Sequence, residues 1–242
     1  MKTLIVGGVH GDELTGISLV KHFLKRPTNK FAGLLCHPEA IKKEKRFFET
    51  DLNRSFSVKI PISLEENIAR KLEKSLMECD FILDFHNTKA DRTTCVIIVG
   101  APNKWHFRVA SHFGFKKMVS MEPSGSLISL NPSSSISLEI ANNDKGKYPE
   151  KSLIEKIEKL HDVEVSDETG LEYFKYVTQV KSTTLNRIGI ASSEITNFVE
   201  LTREQKQKLG LPTNSSMFPI FAKKEFSEEL GFVVVKRYSF SK

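Results

Sequence analysis

Between Thr3 and Gly16 the chain reads TLIVGGVHGDELTG, and no other stretch limits its folding options so tightly. Thr3–Val6 is apolar and β-prone, so it reads as a buried strand, and Gly7-Gly8 ends it. From Leu14 the apolar residues Leu14, Ile17, Val20 and Leu24 keep helical spacing, and Pro27 closes the run. A buried strand that feeds a helix through a glycine turn needs a sheet covered by helices.

The alternation continues downstream. FAGLLCHP predicts a second strand, closed by Pro38. SLEE at Ser63–Glu66 fits a capping box, and Ile68, Leu72 and Leu76 then follow one helical face. DFILDFH (Asp80–His86), TCVIIVG (Thr94–Gly100) and SISLEIA (Ser135–Ala141) read as strands. Helices are expected across Trp105–Phe113 and Tyr148–Leu160, the latter with Pro149 near its start. After about residue 164 the runs EYFKYVTQV, SMFPIFA and FVVVKRYSF are short, β-like and separated by polar turns. The expected fold class is α/β: a larger α/β domain over 1–164 and a smaller β-rich C-terminal domain over 165–242.

Composition narrows the function classes. With 39% hydrophobic and 27% charged residues, the chain has the make-up of a soluble globular protein. No apolar run approaches the roughly 20 residues that span a bilayer. The apolar part of MKTLIVGG is too short for a signal peptide and charge follows at once, so it is expected to be structural. Cys36, Cys79 and Cys95 form no CxxC pair, which fits buried thiols in a reducing cytoplasm. The net charge of +6 is spread over scattered lysines without interleaved aromatic residues. That excludes nucleic acid as the expected partner and leaves a mild attraction for small anionic substrates.

Open α/β sheets bind ligands beyond the carboxyl ends of their strands. His10 and Glu13 follow the first strand there, and His86 ends FILDFH. Two histidines and one carboxylate form a zinc ligand set with a coordination position left open. Asp84 leaves the same strand face as His86 and is a candidate to orient its ring. In FFETDLNRSF, Asn53 and the forked guanidinium of Arg54 suit a substrate carboxylate, and Arg46 is a second cation able to polarise a carbonyl. Glu139 sits between Leu138 and Ile140 in an apolar strand, where a glutamate is unusual unless paired, ligated or outward-facing. Beside an activated water it would serve as general base and then general acid. Taken singly, each residue has an ordinary explanation: a helical HxxE pair, a solvated arginine, an outward strand glutamate.

Together, GGVHGDELTG, DLNRSF, DFHNT and the Glu139 strand stand in the order found in the aspartoacylase/succinylglutamate desuccinylase family, which this chain resembles over roughly residues 3–141. DFHNT is similar to the aspartoacylase branch in particular. The resemblance implies a zinc-carboxypeptidase-like mixed sheet flanked by helices and one zinc ion per chain, held by His10, Glu13 and His86. It implies that Glu139 activates water, that Arg46 stabilises the oxyanion, and that Asn53, Arg54 and Asn87 contact substrate. The implied reaction is hydrolysis of the amide bond of a small anionic N-acyl amino acid in the cytoplasm, with homo-oligomerisation left open. Desuccinylase-like activity, small-peptide carboxypeptidase activity and a catalytically weak metal-binding module are the alternatives. Two departures concern the substrate. Animal aspartoacylases carry a substrate-binding arginine where this chain has Ser129, and PIFAKKEFSEELGF lacks their C-terminal tyrosine. A weak preference for aspartate is therefore expected, unless Lys223 or Lys224 reaches the site.

Overall fold

Strand β1 (Thr3–Gly7) is buried along its whole length because its two faces serve two different cores. Leu4 and Val6 join one apolar cluster, and Ile5 joins the other. The structure is a computed structural model that describes residues 1–26, 28–163, 170–223 and 231–239. Helix α1 (Leu14–Lys25) follows β1, then β2 (Phe31–Leu35) and the short α2 (Pro38–Lys42). Next come α3 (Leu64–Met77), β3 (Phe81–Thr88), β4 (Cys95–Val99), α4 (Lys104–Phe113), β5 (Lys117–Met121), β6 (Ser135–Ala141) and α5 (Glu150–Lys159). The remainder comprises β7 (Glu172–Val180), α6 (Ser182–Ile188), α7 (Arg203–Lys208), β8 (Met217–Ile220) and β9 (Phe232–Tyr238).

The nine strands form one mixed sheet of order β2-β1-β3-β6-β4-β5-β7-β9-β8. β2, β1, β3 and β6 run parallel, β4 turns antiparallel to β6, and β5 and β7 then run parallel to β4. Residues of α1, α4 and α5 pack with Ile5, Leu83, Phe85, Ile136 and Leu138 on one face. Ala69 and Leu76 of α3 cover the other, against Leu4, Val6, Ile82 and Ile97. Both faces are thus apolar, which is why the strands read as nearly continuous hydrophobic runs. The expected mixed sheet flanked by helices is what forms.

The capping box expected at Ser63–Glu66 opens α3, with Ser63 Oγ accepting from Glu66 N at 3.2 Å and Glu66 accepting from Ser63 N at 2.9 Å. The expected boundary at 164/165 lies outside the described residues. Beyond it, β7 pairs in parallel with β5 and continues the same sheet, while α6, β8 and β9 gather a third apolar cluster around Leu185, Phe232 and Val234.

Candidate metal centre

Three of the expected residues meet at the carboxyl end of β1 and β3. β1 stops at Gly7, and Gly8 adopts a φ of +69° that turns the chain sharply above the sheet. His10 and Glu13 are then delivered on a tight turn, with Glu13 in the N-cap position of α1. His86 comes from β3, whose alternation puts Ile82, Asp84 and His86 on the face opposite Leu83 and Phe85. Among the described residues, His10, Glu13 and His86 are the group able to hold a metal ion, with ligand atoms within 4.8 Å of one another.

Glu13 is the hub. Its Oε1 lies 2.8 Å from His10 Nδ1 and its Oε2 lies 2.8 Å from His86 Nδ1. Arg46 Nη1 donates to Oε1 at 3.0 Å, and the backbone N–H of Asn87 donates to Oε2 at 3.1 Å. With its carboxylate so engaged, Glu13 makes no side-chain cap for α1. Asn87 caps the helix instead, since its Oδ1 accepts from Thr15 N at 3.0 Å, one of the N–H groups a helix start leaves open. The second ring nitrogens face carboxylates as well. His10 Nε2 is 2.9 Å from Asp51 Oδ1, and His86 Nε2 is 2.8 Å from Asp84 Oδ2.

This donor set suits a cation. A carboxylate only accepts, so every ring nitrogen here faces an acceptor, while a neutral ring carries a single proton. In each neutral ring one nitrogen's lone pair then opposes a carboxylate, that of Glu13 when the proton sits on Nε2 toward Asp51 or Asp84. Either an extra proton on each ring or a metal ion among the three groups relieves that opposition. The charges agree: His10, His86 and Glu13 are buried, and Glu13, Asp51, Asp84 and Glu139 crowd around them, with the guanidinium of Arg46 bonded to Glu13. Burial disfavours the charged form of His86, but the charges of Asp84 and Glu13 outweigh it and hold the ring well above the usual histidine range. His10 is raised too, because its bonds to Asp51 and Glu13 outweigh burial. Burial also opposes ionisation of Glu13 and Asp51, yet their histidine partners hold both carboxyls well below the usual range.

Glu139 pairs in register with His86 on one side and with Cys95 on the other. Ile136, Leu138 and Ile140 belong to the opposite core, so Ser137 and Glu139 share the face of Asp84 and His86. Burial raises Glu139 above the ordinary carboxyl value, and the negative charges of Glu13 and Asp84 add to it. Arg46 is half exposed at the rim. Asn53 and Arg54 lie on a single-turn 3-10 helix, Leu52–Arg54. Asn53 Oδ1 accepts from Leu127 N at 3.0 Å, so Nδ2 is its donor end, while the exposed Arg54 donates to Asn53 O at 2.6 Å. Asn87, expected to touch substrate, has both ends of its amide engaged, by Thr15 N and by Ile140 O at 3.4 Å. Ser129 bonds inside its own turn, to Pro123 O at 3.0 Å. Lys223 is pushed below the ordinary lysine range by burial and by the nearby charges of Arg46 and Lys89. Lys224 lies outside the described residues.

Asp51 is the site residue that sequence reasoning passed over. It precedes the Asn-Arg pair in DLNR, and that adjacency is the one signal that could have flagged it.

Residues 1–139 match the succinylglutamate desuccinylase/aspartoacylase catalytic domain. A probable aspartoacylase of Trichodesmium erythraeum is 37% identical over a stretch covering 40% of this chain and 39% of its own length. An N-acyl-aromatic-L-amino acid amidohydrolase (carboxylate-forming) of Xenopus laevis is 29% identical over 42% of this chain and 39% of its own. The chain thus spans about two fifths of the length of the curated relatives it matches. Among solved structures, the succinylglutamate desuccinylase of Chromobacterium violaceum superposes with a TM-score of 0.79 at 17% identity, covering 100% of this chain and 86% of that one. Murine aminoacylase 3 superposes with a TM-score of 0.69 at 17% identity, covering 98% and 95%. At such identity these two structures speak for the fold, whereas the catalytic-domain match takes in the turn of His10 and Glu13, the Asn53-Arg54 pair and His86 in one run and ends at Glu139. By that match, this chain belongs to the succinylglutamate desuccinylase/aspartoacylase family.

Proposed function

We propose that the protein is a zinc-dependent amidohydrolase that cleaves N-acyl amino acids to a carboxylate and a free amino acid. The observation that carries this reading is Glu13 bridging the Nδ1 atoms of His10 and His86 at 2.8 Å each, with Glu139 in register beside His86. His10, Glu13 and His86 would hold the zinc. When bound, zinc supplies Lewis-acid chemistry, polarising a carbonyl and easing proton loss from water.

The chain's own residues supply the rest. Glu139 accepts a proton from the attacking water at its carboxylate. As the carbon–nitrogen bond breaks, it delivers that proton to the leaving amine. A carboxyl raised by burial suits both the uptake and the delivery. Arg46 holds positive charge at the rim, where the carbonyl oxygen gains negative charge. Asn53 through Nδ2 and Arg54 through its guanidinium bind the α-carboxylate of the substrate. Asp51 and Asp84 fix the ring orientation of His10 and His86. The family relatives named aspartoacylase and N-acyl-aromatic-L-amino acid amidohydrolase support the same reaction class.

The test is metal analysis of the purified protein combined with a panel of N-acetyl and N-succinyl amino acids. Stoichiometric zinc and release of free amino acid are expected. A zinc-loaded protein that hydrolyses none of the panel refutes the reading.

A further inference from the structure

Glu65 has a setting that capping does not explain. It occupies the first turn of α3, is completely buried, and points its carboxylate at three consecutive backbone N–H groups of another segment. Phe48 N donates to Oε1 at 2.7 Å, Thr50 N donates to Oε2 at 3.1 Å, and Glu49 N is shared between both oxygens at 3.4 and 3.3 Å. His37 Nε2 completes the set at 3.1 Å from Oε1. The tautomer of His37 is fixed from its other side, because Nδ1 accepts from Ala40 N at 3.3 Å. His37 Nε2–H is therefore the donor to Glu65.

The held segment has no helix or strand of its own at residues 47–50. Its N–H groups need a partner, and a buried carboxylate needs donors; each supplies the other. What makes the arrangement functional is where the segment ends. Two residues before Phe48, Arg46 donates to Glu13 at 3.0 Å, and its carbonyl accepts from Gly11 N at 3.3 Å. Directly after Thr50, Asp51 contacts His10 Nε2 at 2.9 Å. Further ties point the same way: Thr50 Oγ1 lies 2.9 Å from Ser63 Oγ, and Glu49 accepts from Leu64 N at 2.7 Å. The start of α3 thus grips the segment over the stretch between two residues that touch the metal ligands.

We infer that Glu65 is a positioning residue for the site, holding the 48–50 segment so that Arg46 and Asp51 stay fixed on Glu13 and His10. Glu65 touches neither substrate nor metal ligand. The part of the inference that concerns turnover rests on the amidohydrolase reading above; the part that concerns segment order does not.

The experiment uses the zinc-loaded full chain. Glu65→Gln keeps the shape of the side chain but turns one acceptor into a donor facing N–H groups. Amide hydrogen exchange is read at Phe48, Glu49 and Thr50, with β1 and β3 as internal reference. A loss of protection of about tenfold or more, confined to the segment, is expected, the scale of losing a hydrogen bond to a charged group. Unchanged protection at 48–50 overturns the inference, and this arm holds even if the protein hydrolyses no N-acyl amino acid. The second arm measures kcat/KM for Glu65→Gln in the native background and in an Arg46→Ala/Asp51→Asn background. A fall of about 10- to 100-fold, carried by kcat, is expected in the native background, against less than about threefold once both contacts are gone. Equal losses in both backgrounds would reduce Glu65 to a general stabiliser and overturn the inference. If Glu65→Gln does not fold, Glu65→Asp is read by the same two arms: it keeps the charge but is one methylene too short to reach all three N–H groups.

Discussion

Gly7→Ala is the substitution that best tests why the glycine turn and the candidate metal ligands occur together. The backbone at Gly7 is ordinary, so an added methyl meets no torsional objection. The obstacle is space. A Cβ there would lie 2.2 Å from the backbone carbon of Gly16 in α1 and 2.3 Å from its carbonyl oxygen. Ordinary contact begins near 3.4 Å, so helix and strand must part by about 1.2 Å. Backbone cannot swing aside as a flexible side chain can. Overpacking of this kind costs about 1–3 kcal/mol, which lowers Tm by about 2–12 °C for a chain of this size. The displacement also carries Glu13, at the head of α1, away from His86 on β3, and their 2.8 Å contact has no slack. Zinc affinity is therefore expected to fall along with Tm. Gly146→Ala is the control, since its Cβ meets nothing within 4 Å and its φ is ordinary. Thermal melts and chelator-competition titrations of both variants decide the matter. A Gly7→Ala protein with native Tm and native zinc affinity would refute the close-approach argument.

The remaining predictions address the site itself. Folded His10→Ala and His86→Ala proteins should lose most of their zinc by elemental analysis, and full occupancy in both sinks the ligand assignment. Glu139→Gln should keep fold and zinc while losing about 10²–10⁴-fold in turnover; near-native turnover would mean that another group is the base. His10 and His86 both hold protons above the ordinary histidine value of 6.5. Their stabilisation of the metal-free fold is therefore complete below 6.5 and fades as pH rises through the raised values. Zinc competes with those same protons, so its apparent affinity should keep rising above pH 6.5, and a plateau starting at 6.5 contradicts the geometry. With Ser129 in place of an arginine, one charge-assisted hydrogen bond of about 1.5–3 kcal/mol is missing, roughly 10- to 150-fold. The kcat/KM ratio of N-acetylaspartate to neutral N-acetyl amino acids should accordingly be modest, and a ratio above about a thousand would show that a cation such as Lys223 fills the gap.

Most of the scaffold and the clustered residues His10, Glu13 and His86 were legible in the sequence; how that cluster is held was not. His10 and Glu13 stood out because they follow a strand readable from its apolar run, and His86 because it closes the apolar run of another. Glu139 stood out because it breaks one. Asp51 and Glu65 did not, for a shared reason: an acid in a charged loop or in the first turn of a helix already has a satisfactory local explanation. SLEE offers two glutamates of one type at adjacent positions. Glu66 makes the expected cap, and Glu65 binds a loop 15 to 17 residues upstream, which no local pattern encodes. Strand direction was equally silent. β4 is antiparallel to β6 although TCVIIVG looks like its parallel neighbours, because direction depends on how the chain returns to the sheet. β5, with Lys117 and Ser120 among its five residues, lacked the apolar density that marked the others.

The proposed substrate-binding residues are held differently from the candidate metal ligands. Asn53 Oδ1 takes Leu127 N at 3.0 Å, and Phe56 N donates to Gly125 O at 3.0 Å, so the Asn-Arg loop and the 123–130 turn are tied to each other. Ser129 belongs to that turn and bonds inward to Pro123 O and Ser126 Oγ. It does not stand in for an arginine; it helps hold the wall on which Asn53 leans. Any second cation must then approach from elsewhere. The segment at Ala222 is pinned by Asn197, which bonds Ala222 N and O at 2.8 and 2.7 Å and reaches Asp91 O at 2.8 Å. That clamp fastens the end of the β8 region to the loop leaving β3, the strand of His86. Lys223 follows directly, within the electrostatic reach of Arg46 and Lys89. The three clustered residues His10, Glu13 and His86 lie within the catalytic-domain match over 1–139, whereas Lys223 lies outside it, directly after the clamped Ala222. Under the proposed function, changes at that clamped loop would alter substrate choice without touching the residues assigned to amide cleavage.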